Sequence, residues 1–206
     1  MLKDDLIKDR LIWLQELGIG YYPVKETPYD DAYFKKYQEM ANTNIGMALN
    51  EARVNLVNKY TKDEVIDVGI GCGTFIDARD NTNGYDINPA GVKWLEANNK
   101  YKNPYLGCDH ATFWDSLEHI ESPDVILNAI REYVFVSIPI FISNAHVLLS
   151  KHYRKDEHYW YFTDSGFKYF MDINGFDLIE SNKMESLLGR ECIGTYVFRK
   201  RDDFRA

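Results

Sequence analysis

The run Asp67-Val-Gly-Ile-Gly-Cys-Gly73, followed by Gly84-Tyr-Asp86-Ile87-Asn88, carries the clearest chemistry in this chain. Glycines at 69, 71 and 73 let the backbone pass close to a ligand, because no Cβ stands in the way and positive φ costs little. A carboxylate at Asp86, closing the next strand, can accept two hydrogen bonds from a ribose diol. Together they point to a nucleoside-containing cofactor lying across the carboxyl ends of parallel strands; a purely structural turn is the plain alternative. The dinucleotide fingerprint G-x-G-x-x-G would need its third glycine at position 74, where the chain has Thr74. No Gly-Lys-Ser/Thr follows, which excludes a phosphate-binding P-loop. The glycines at 69, 71 and 73 have the spacing associated with S-adenosylmethionine sites.

Two further groups could act on a substrate. His119 is a candidate general base, since a neutral imidazole titrates near working pH. Glu118 beside it would orient the ring or serve as a buried acid at a helix start, and His119 could equally be a helix-cap histidine. His152, Glu157 and His158 form a second polar group among aromatics (Tyr153, Tyr159, Trp160, Tyr161, Phe162). His158 is a catalytic candidate, and His152 and Tyr161 are candidates for contact with the substrate; a structural, hydrogen-bonded role competes. Histidines and carboxylates can bind a divalent ion, but neither H-x3-H nor H-E-x-x-H spacing is present, so no metal is expected.

These residues need elements to hold them. Apolar positions between Leu2 and Leu17 follow helical spacing up to Gly18, and Asn44 to Tyr60 reads as a second helix. Between them lies an aromatic, proline-punctuated segment with Tyr21, Tyr22, Tyr29, Tyr33 and Tyr37. It is either packing for the domain edge or, with residues 152–163, a lid that selects the acceptor. From Glu64 onward strand and helix alternate: strands at 64–69, 83–87, 109–115 and 133–139, helices at 74–79, 89–98 and 123–132. Such alternation predicts a parallel sheet with helices on both faces. A helix near 164–174 precedes Phe176 to Glu180 and Gly194 to Arg199, which read as a closing β-hairpin. The expected division is a helical, aromatic extension over 1–60 and a cofactor-binding unit over 61–206.

At 206 residues the chain is long enough for one full core, and 45% hydrophobic residues argue against disorder. The net charge of −8 and a pI near 5.1 disfavour nucleic acid, whose binding draws on basic side chains against phosphates. No apolar run reaches the roughly 20 residues of a membrane span. Three widely spaced cysteines and an acidic start, Met1-Leu-Lys-Asp-Asp, suit a reducing, cytoplasmic setting.

Asp67-to-Gly73, Gly84-Tyr-Asp86, Thr112-Phe-Trp-Asp-Ser-Leu-Glu-His119 and the strand Tyr133-to-Pro139 occur in that order. In this the chain resembles class I S-adenosylmethionine-dependent methyltransferases, in particular the group that includes the ubiquinone-pathway O-methyltransferases. The His152-to-His158 segment with Tyr161-Phe-Thr163 is similar to that group's His-x5-His segment. The resemblance implies a Rossmann-like sheet, mostly parallel with a C-terminal antiparallel hairpin, and S-adenosyl-L-methionine as cofactor. It implies that Asp67, Gly69, Gly71 and Gly73 cradle the methionine end and that Asp86, with Ile87 beside it, holds the ribose. Trp114 would lie beside the cofactor near the substrate. A small-molecule or sugar acceptor is implied, because the Asp/Asn/Ser-Pro-Pro-Tyr/Phe motif of amino-methylating DNA enzymes is missing. Residues 88–108 are short for the extra strand the family places there, which bears on adenine contacts and leaves a non-catalytic binding module as an alternative. Aminopropyl transfer or cofactor cleavage would be further alternatives on the same fold.

Overall fold

The computed structural model describes residues 11–24 and 31–204. In chain order the elements are β1 (Ile12–Leu14), β2 (Ile19–Tyr21), α1 (Asp31–Ala41), α2 (Asn44–Tyr60), β3 (Val65–Val68), α3 (Thr74–Ala78), β4 (Thr82–Tyr85) and α4 (Pro89–Ala97). There follow β5 (Cys108–Trp114), α5 (Pro123–Asn128), β6 (Ile130–Phe141), α6 (Asn144–Leu149), β7 (Trp160–Thr163), α7 (Asp164–Ile173), β8 (Phe176–Asn182), α8 (Met184–Leu187) and β9 (Ile193–Lys200).

The strands form one sheet in the order β1-β2-β7-β6-β5-β3-β4, with the β9–β8 hairpin also joined to β6. Pairings among β4, β3, β5 and β6 are parallel, whereas β9 runs antiparallel to β6 and to β8. This is the α/β parallel sheet that the alternation predicts, with the closing antiparallel hairpin of the Rossmann-like arrangement that the resemblance implies. All four residues of β3, Val65-Ile-Asp-Val68, are buried, as expected of a parallel strand covered on both faces. One face packs Phe113, Val134, Val136 and Ile138 against Leu127 and Phe167; the other packs Val65, Phe135 and Val197 against Leu56, Val57 and Phe75. Helix starts are built locally. Thr43 accepts from the Gly46 N–H at 3.0 Å to open α2, and Asn88 accepts from the Ala90 N–H at 3.0 Å with Pro89 at the first turn of α4.

Two expectations are corrected. The helix expected over Leu2 to Leu17 is replaced, where described, by β1, which pairs with β2 from Ile12↔Tyr21 to Leu14↔Ile19; residues 2–10 lie outside the described residues. Ile12 and Leu14 are exposed while Trp13 is half-buried, a strand alternation that apolar spacing at 11, 14 and 17 hides. The helix expected over 123–132 ends at Asn128, because Ile130 onward is recruited into β6, paired on both sides. Between β4 and β5 the short segment holds α4, a 3-10 turn at Pro104–Leu106 and a single bridge, Gly84↔Tyr101, instead of another strand. Among the described residues no helix is long and apolar enough to cross a membrane.

Candidate functional site

The carboxyl ends of β3, β4 and β5 open into a cavity of about 580 Å³. Gly69, Gly71 and Gly73 all stand at positive φ, a conformation that a side chain would strain. They serve different ends. A Cβ at Gly69 would come within 2.6 Å of Ser116, so this glycine lets the turn press against the loop after β5; Gly69 also lines the cavity. Gly71 lines the cavity opposite the Tyr37 ring, which a Cβ there would meet at 3.3 Å. Gly73 does not line it: a Cβ would strike Trp94 at 2.5 Å, which makes this glycine a seat for α4.

Asp67 is buried under the turn, where Thr112 Oγ1 donates to its carboxylate at 2.7 Å. Burial pushes its carboxyl up to about 7, against the pull of the Thr112 bond and the Arg53 charge. Asp86 accepts from the main-chain N–H groups of Ile70, at 3.0 Å, and Asn88, at 2.8 Å. It therefore ties the glycine turn to the end of β4; burial raises its carboxyl and these N–H groups oppose the rise. Ile87 is 60% exposed on the cavity wall, and Tyr105 of the 3-10 turn stands nearby, its ring edge-on to Tyr85 at 5.7 Å. Trp114 closes the inner wall, edge-on to Phe75 at 5.5 Å and with the Arg53 guanidinium 5.0 Å above its ring. Its buried Nε1 has no hydrogen-bond partner among the described residues.

The other wall is ionic. Glu185 is wholly buried and accepts from Arg53 Nε and Nη2 at 2.6 and 2.9 Å and from Arg190 at 2.5 Å. Arg190 also pairs with Asp115, whose backbone stands at φ 55. The strained Asp115 turns the chain out of β5 directly into Ser116, Leu117 and Glu118. Sequence reasoning missed Arg53, Glu185, Arg190 and Tyr105. Only Tyr105, an aromatic after Pro104 in the segment that lacks a strand, carried any local signal.

Glu118, His119 and His158 come together. Glu118 is 1% exposed, neither carboxylate oxygen has a hydrogen-bond partner among the described residues, and His158 Nε2 lies 4.0 Å away. Burial holds its carboxyl well above the usual range, with Asp115 adding to the rise and Arg190 opposing it. The rings of His119 and His158 are 4.5 Å apart, and His119 bonds to the Glu157 backbone. Burial pushes His119 down to about 4 and carries His158 well down too, helped by the neighbouring His119. His119 is therefore neutral at working pH and a weaker base than an ordinary imidazole. His152 also lines the cavity and shares a hydrogen bond of 2.9 Å with the Glu191 carbonyl. Tyr161 does not reach the cavity; it is fully buried behind His158, ring centroids 5.9 Å apart.

Of the expected aromatic lid, Tyr29 lies outside the described residues and Tyr33 is described in its backbone alone. Tyr21 packs on Tyr159 and Trp160, and Tyr22 on Tyr153, so these rings bind the β1–β2 hairpin to the edge at β7. Tyr37 of the same segment does line the cavity, with Lys36 and Met40 of α1, the adjoining face of α2, and His152 and His158 of the later segment.

The chain is similar in fold to several solved structures. Magnesium protoporphyrin IX methyltransferase from Synechocystis PCC 6803, with bound S-adenosylhomocysteine, shares 12% identity over 83% of this chain and 95% of its own, at a TM-score of 0.54. An S-adenosylmethionine-dependent methyltransferase from Thermotoga maritima shares 11% over 82% and 97%, at 0.59. The Burkholderia thailandensis 1,6-didemethyltoxoflavin-N1-methyltransferase shares 11% over 93% and 99%, at 0.53. No curated protein sequence matches the chain. The profile of the methyltransferase domain matches residues 34–181, from α1 into β8. With that profile covering most of the chain and the glycine turn, Asp86 and Trp114 on one cavity, the chain belongs to the methyltransferase domain family, in the class I S-adenosylmethionine-dependent fold.

Proposed function

We propose that this chain transfers a methyl group from S-adenosylmethionine to an oxygen or nitrogen of a small-molecule or sugar acceptor. The observation that carries the reading is one cavity lined both by the glycine turn with Asp86 and by Glu118, His119 and His158. Its residues fit such a cofactor. Gly71 presents bare backbone, Asp86 keeps lone pairs beyond those given to Ile70 and Asn88, and Ile87 with Tyr105 offers apolar faces for a base. The bound cofactor supplies a methyl group on a sulfonium, already activated, so alignment and exclusion of water account for most of the acceleration. Asp67 and Trp114 fix the floor on which that alignment rests. Within the extension over 1–60, α1 and α2 wall the cavity of the unit formed by 61–206. Glu118, His119 and His158 orient the acceptor's polar atom and take up its proton where it has one to lose. The net charge of −8 supports an acceptor other than nucleic acid. Three free cysteines support a reducing, cytoplasmic setting.

Calorimetry with S-adenosylhomocysteine tests the cofactor end. Asp86→Ala should weaken binding tenfold or more, as expected when bonds to a carboxylate, each worth about 1.5–3 kcal/mol, are lost. Gly71→Val should block the site sterically. Unchanged affinity in both variants would sink the assignment. An acceptor library then tests the reaction: a transferase releases S-adenosylhomocysteine only with its acceptor. A binding module releases none, and a lyase makes methylthioadenosine without an acceptor.

A further inference from the structure

Glu118 and His119 sit on the 3-10 turn after β5, and His158 sits just before β7. One carboxylate oxygen and one nitrogen from each ring lie within 4.8 Å of one another, and all three residues line the cavity. We propose that these three side chains hold one divalent transition-metal ion on the acceptor side of the cavity.

Three observations support it. Glu118 is buried with both oxygens unpartnered among the described residues, and His158, also buried, has Nδ1 unpartnered there while its Nε2 stands 4.0 Å from Glu118 Oε1. Buried polar groups are ordinarily paired. The bond from His119 to the Glu157 backbone is the kind of contact that orients a metal-ligating histidine. The two segments are fastened to each other: the Tyr159 N–H donates to the Glu118 carbonyl at 2.9 Å and Trp160 Nε1 to the Ile120 carbonyl at 3.1 Å. Two imidazoles and one carboxylate favour zinc, iron, cobalt or manganese over magnesium. Bonds of about 2.0–2.2 Å require the three ligands to draw together by roughly 1 Å, within reach of side-chain rotation.

Three protein ligands leave coordination positions open. On the transferase reading, on which this step rests, they face the acceptor and narrow its class to molecules offering an oxygen ligand, a hydroxyl or a carboxylate. Asp115, with one buried unpartnered oxygen, stands close enough to raise the Glu118 carboxyl and adds negative charge to the site.

The test titrates Zn²⁺ and Co²⁺ chlorides into chelator-treated, full-length protein without cofactor. One ion per chain is expected, with affinity falling a hundredfold or more in Glu118→Gln and in His158→Gln but unchanged in His146→Gln. No binding to the folded wild-type chain, or equal affinity in folded Glu118→Gln and His158→Gln, overturns the proposal. Should those variants fail to fold, the visible spectrum of the wild-type Co²⁺ complex decides. Ligand-field bands without thiolate charge transfer support the site, whereas the aqueous ion's spectrum, or a thiolate band from Cys72, overturns it. Titration of S-adenosylhomocysteine into the same preparation separates the two readings. Binding of S-adenosylhomocysteine without metal binding removes the metal site alone, and metal binding without S-adenosylhomocysteine removes the transferase reading alone.

Discussion

Glu185→Ala is expected to lower the stability of this protein by about 3–5 kcal/mol, the usual result of removing one partner from a buried ion pair. Glu185 is wholly buried and receives two bonds from Arg53 and one from Arg190. Without it both guanidinium groups stay in the wall with only Asp115 left to share. The same carboxylate predicts a pH dependence. Burial alone would raise it, but Arg53 and Arg190 prevail and hold it at about 2, below the ordinary 4.5. The folded state thus favours the ionised form. Its stabilisation, about 3 kcal/mol by linkage, is fully present above pH 4.5 and fades as pH falls toward 2. Urea unfolding of wild type and variant at neutral pH and near pH 3 measures both effects. A loss under about 1 kcal/mol at neutral pH would show that Asp115 compensates.

His119→Ala is expected to lower kcat by roughly 10²–10⁴ while leaving S-adenosylhomocysteine affinity nearly unchanged. The asymmetry follows from placement: His119 faces Glu118 and His158, whereas the glycine turn and Asp86 serve the other part of the cavity. The expectation is the same whether the imidazole moves a proton or holds an ion, since each acts on the acceptor. His119 is half-buried against His158, so a packing role would show as lost structure instead. A large fall in melting temperature, with kcat falling only in proportion to the folded fraction, would assign it a packing role.

The parts of this fold that were legible in sequence are local ones. Val65-Ile-Asp-Val68 is a buried strand by composition, glycines mark the turn, and Asp86 follows the next strand. The β8–β9 hairpin and the helix over Asn44–Tyr60 were equally plain. What escaped depends on distant partners. Arg53, Asp115 and the nearby pair Glu185 and Arg190 meet from three separate places in the chain, so no window contains their network. Glu118 and His119 lie far in sequence from His158, and the test for metal-ligand spacing therefore had nothing to find. The first strand was misread because Leu11, Leu14 and Leu17 satisfy helical spacing as well as a short hairpin, and its pairing with β2 decides between them. Gly73 matches the motif letter for letter, and the packing of Trp94 against it requires its lack of a side chain.

The β1–β2 hairpin gains its place in the sheet only by pairing β2 with β7, Gly20 opposite Tyr161. Closing so long a loop costs chain entropy before the contact returns anything, and rates fall as contacts become less local. During synthesis the hairpin must wait, with Trp13 and Ile19 uncovered, until β7 has left the ribosome. β1 and β2 are thus expected to dock after β3, β5 and β6, although they are made before them. Amide protection in a pulsed-exchange refolding experiment should reach β3, β5 and β6 well before Ile19–Tyr21, and simultaneous protection would contradict this order.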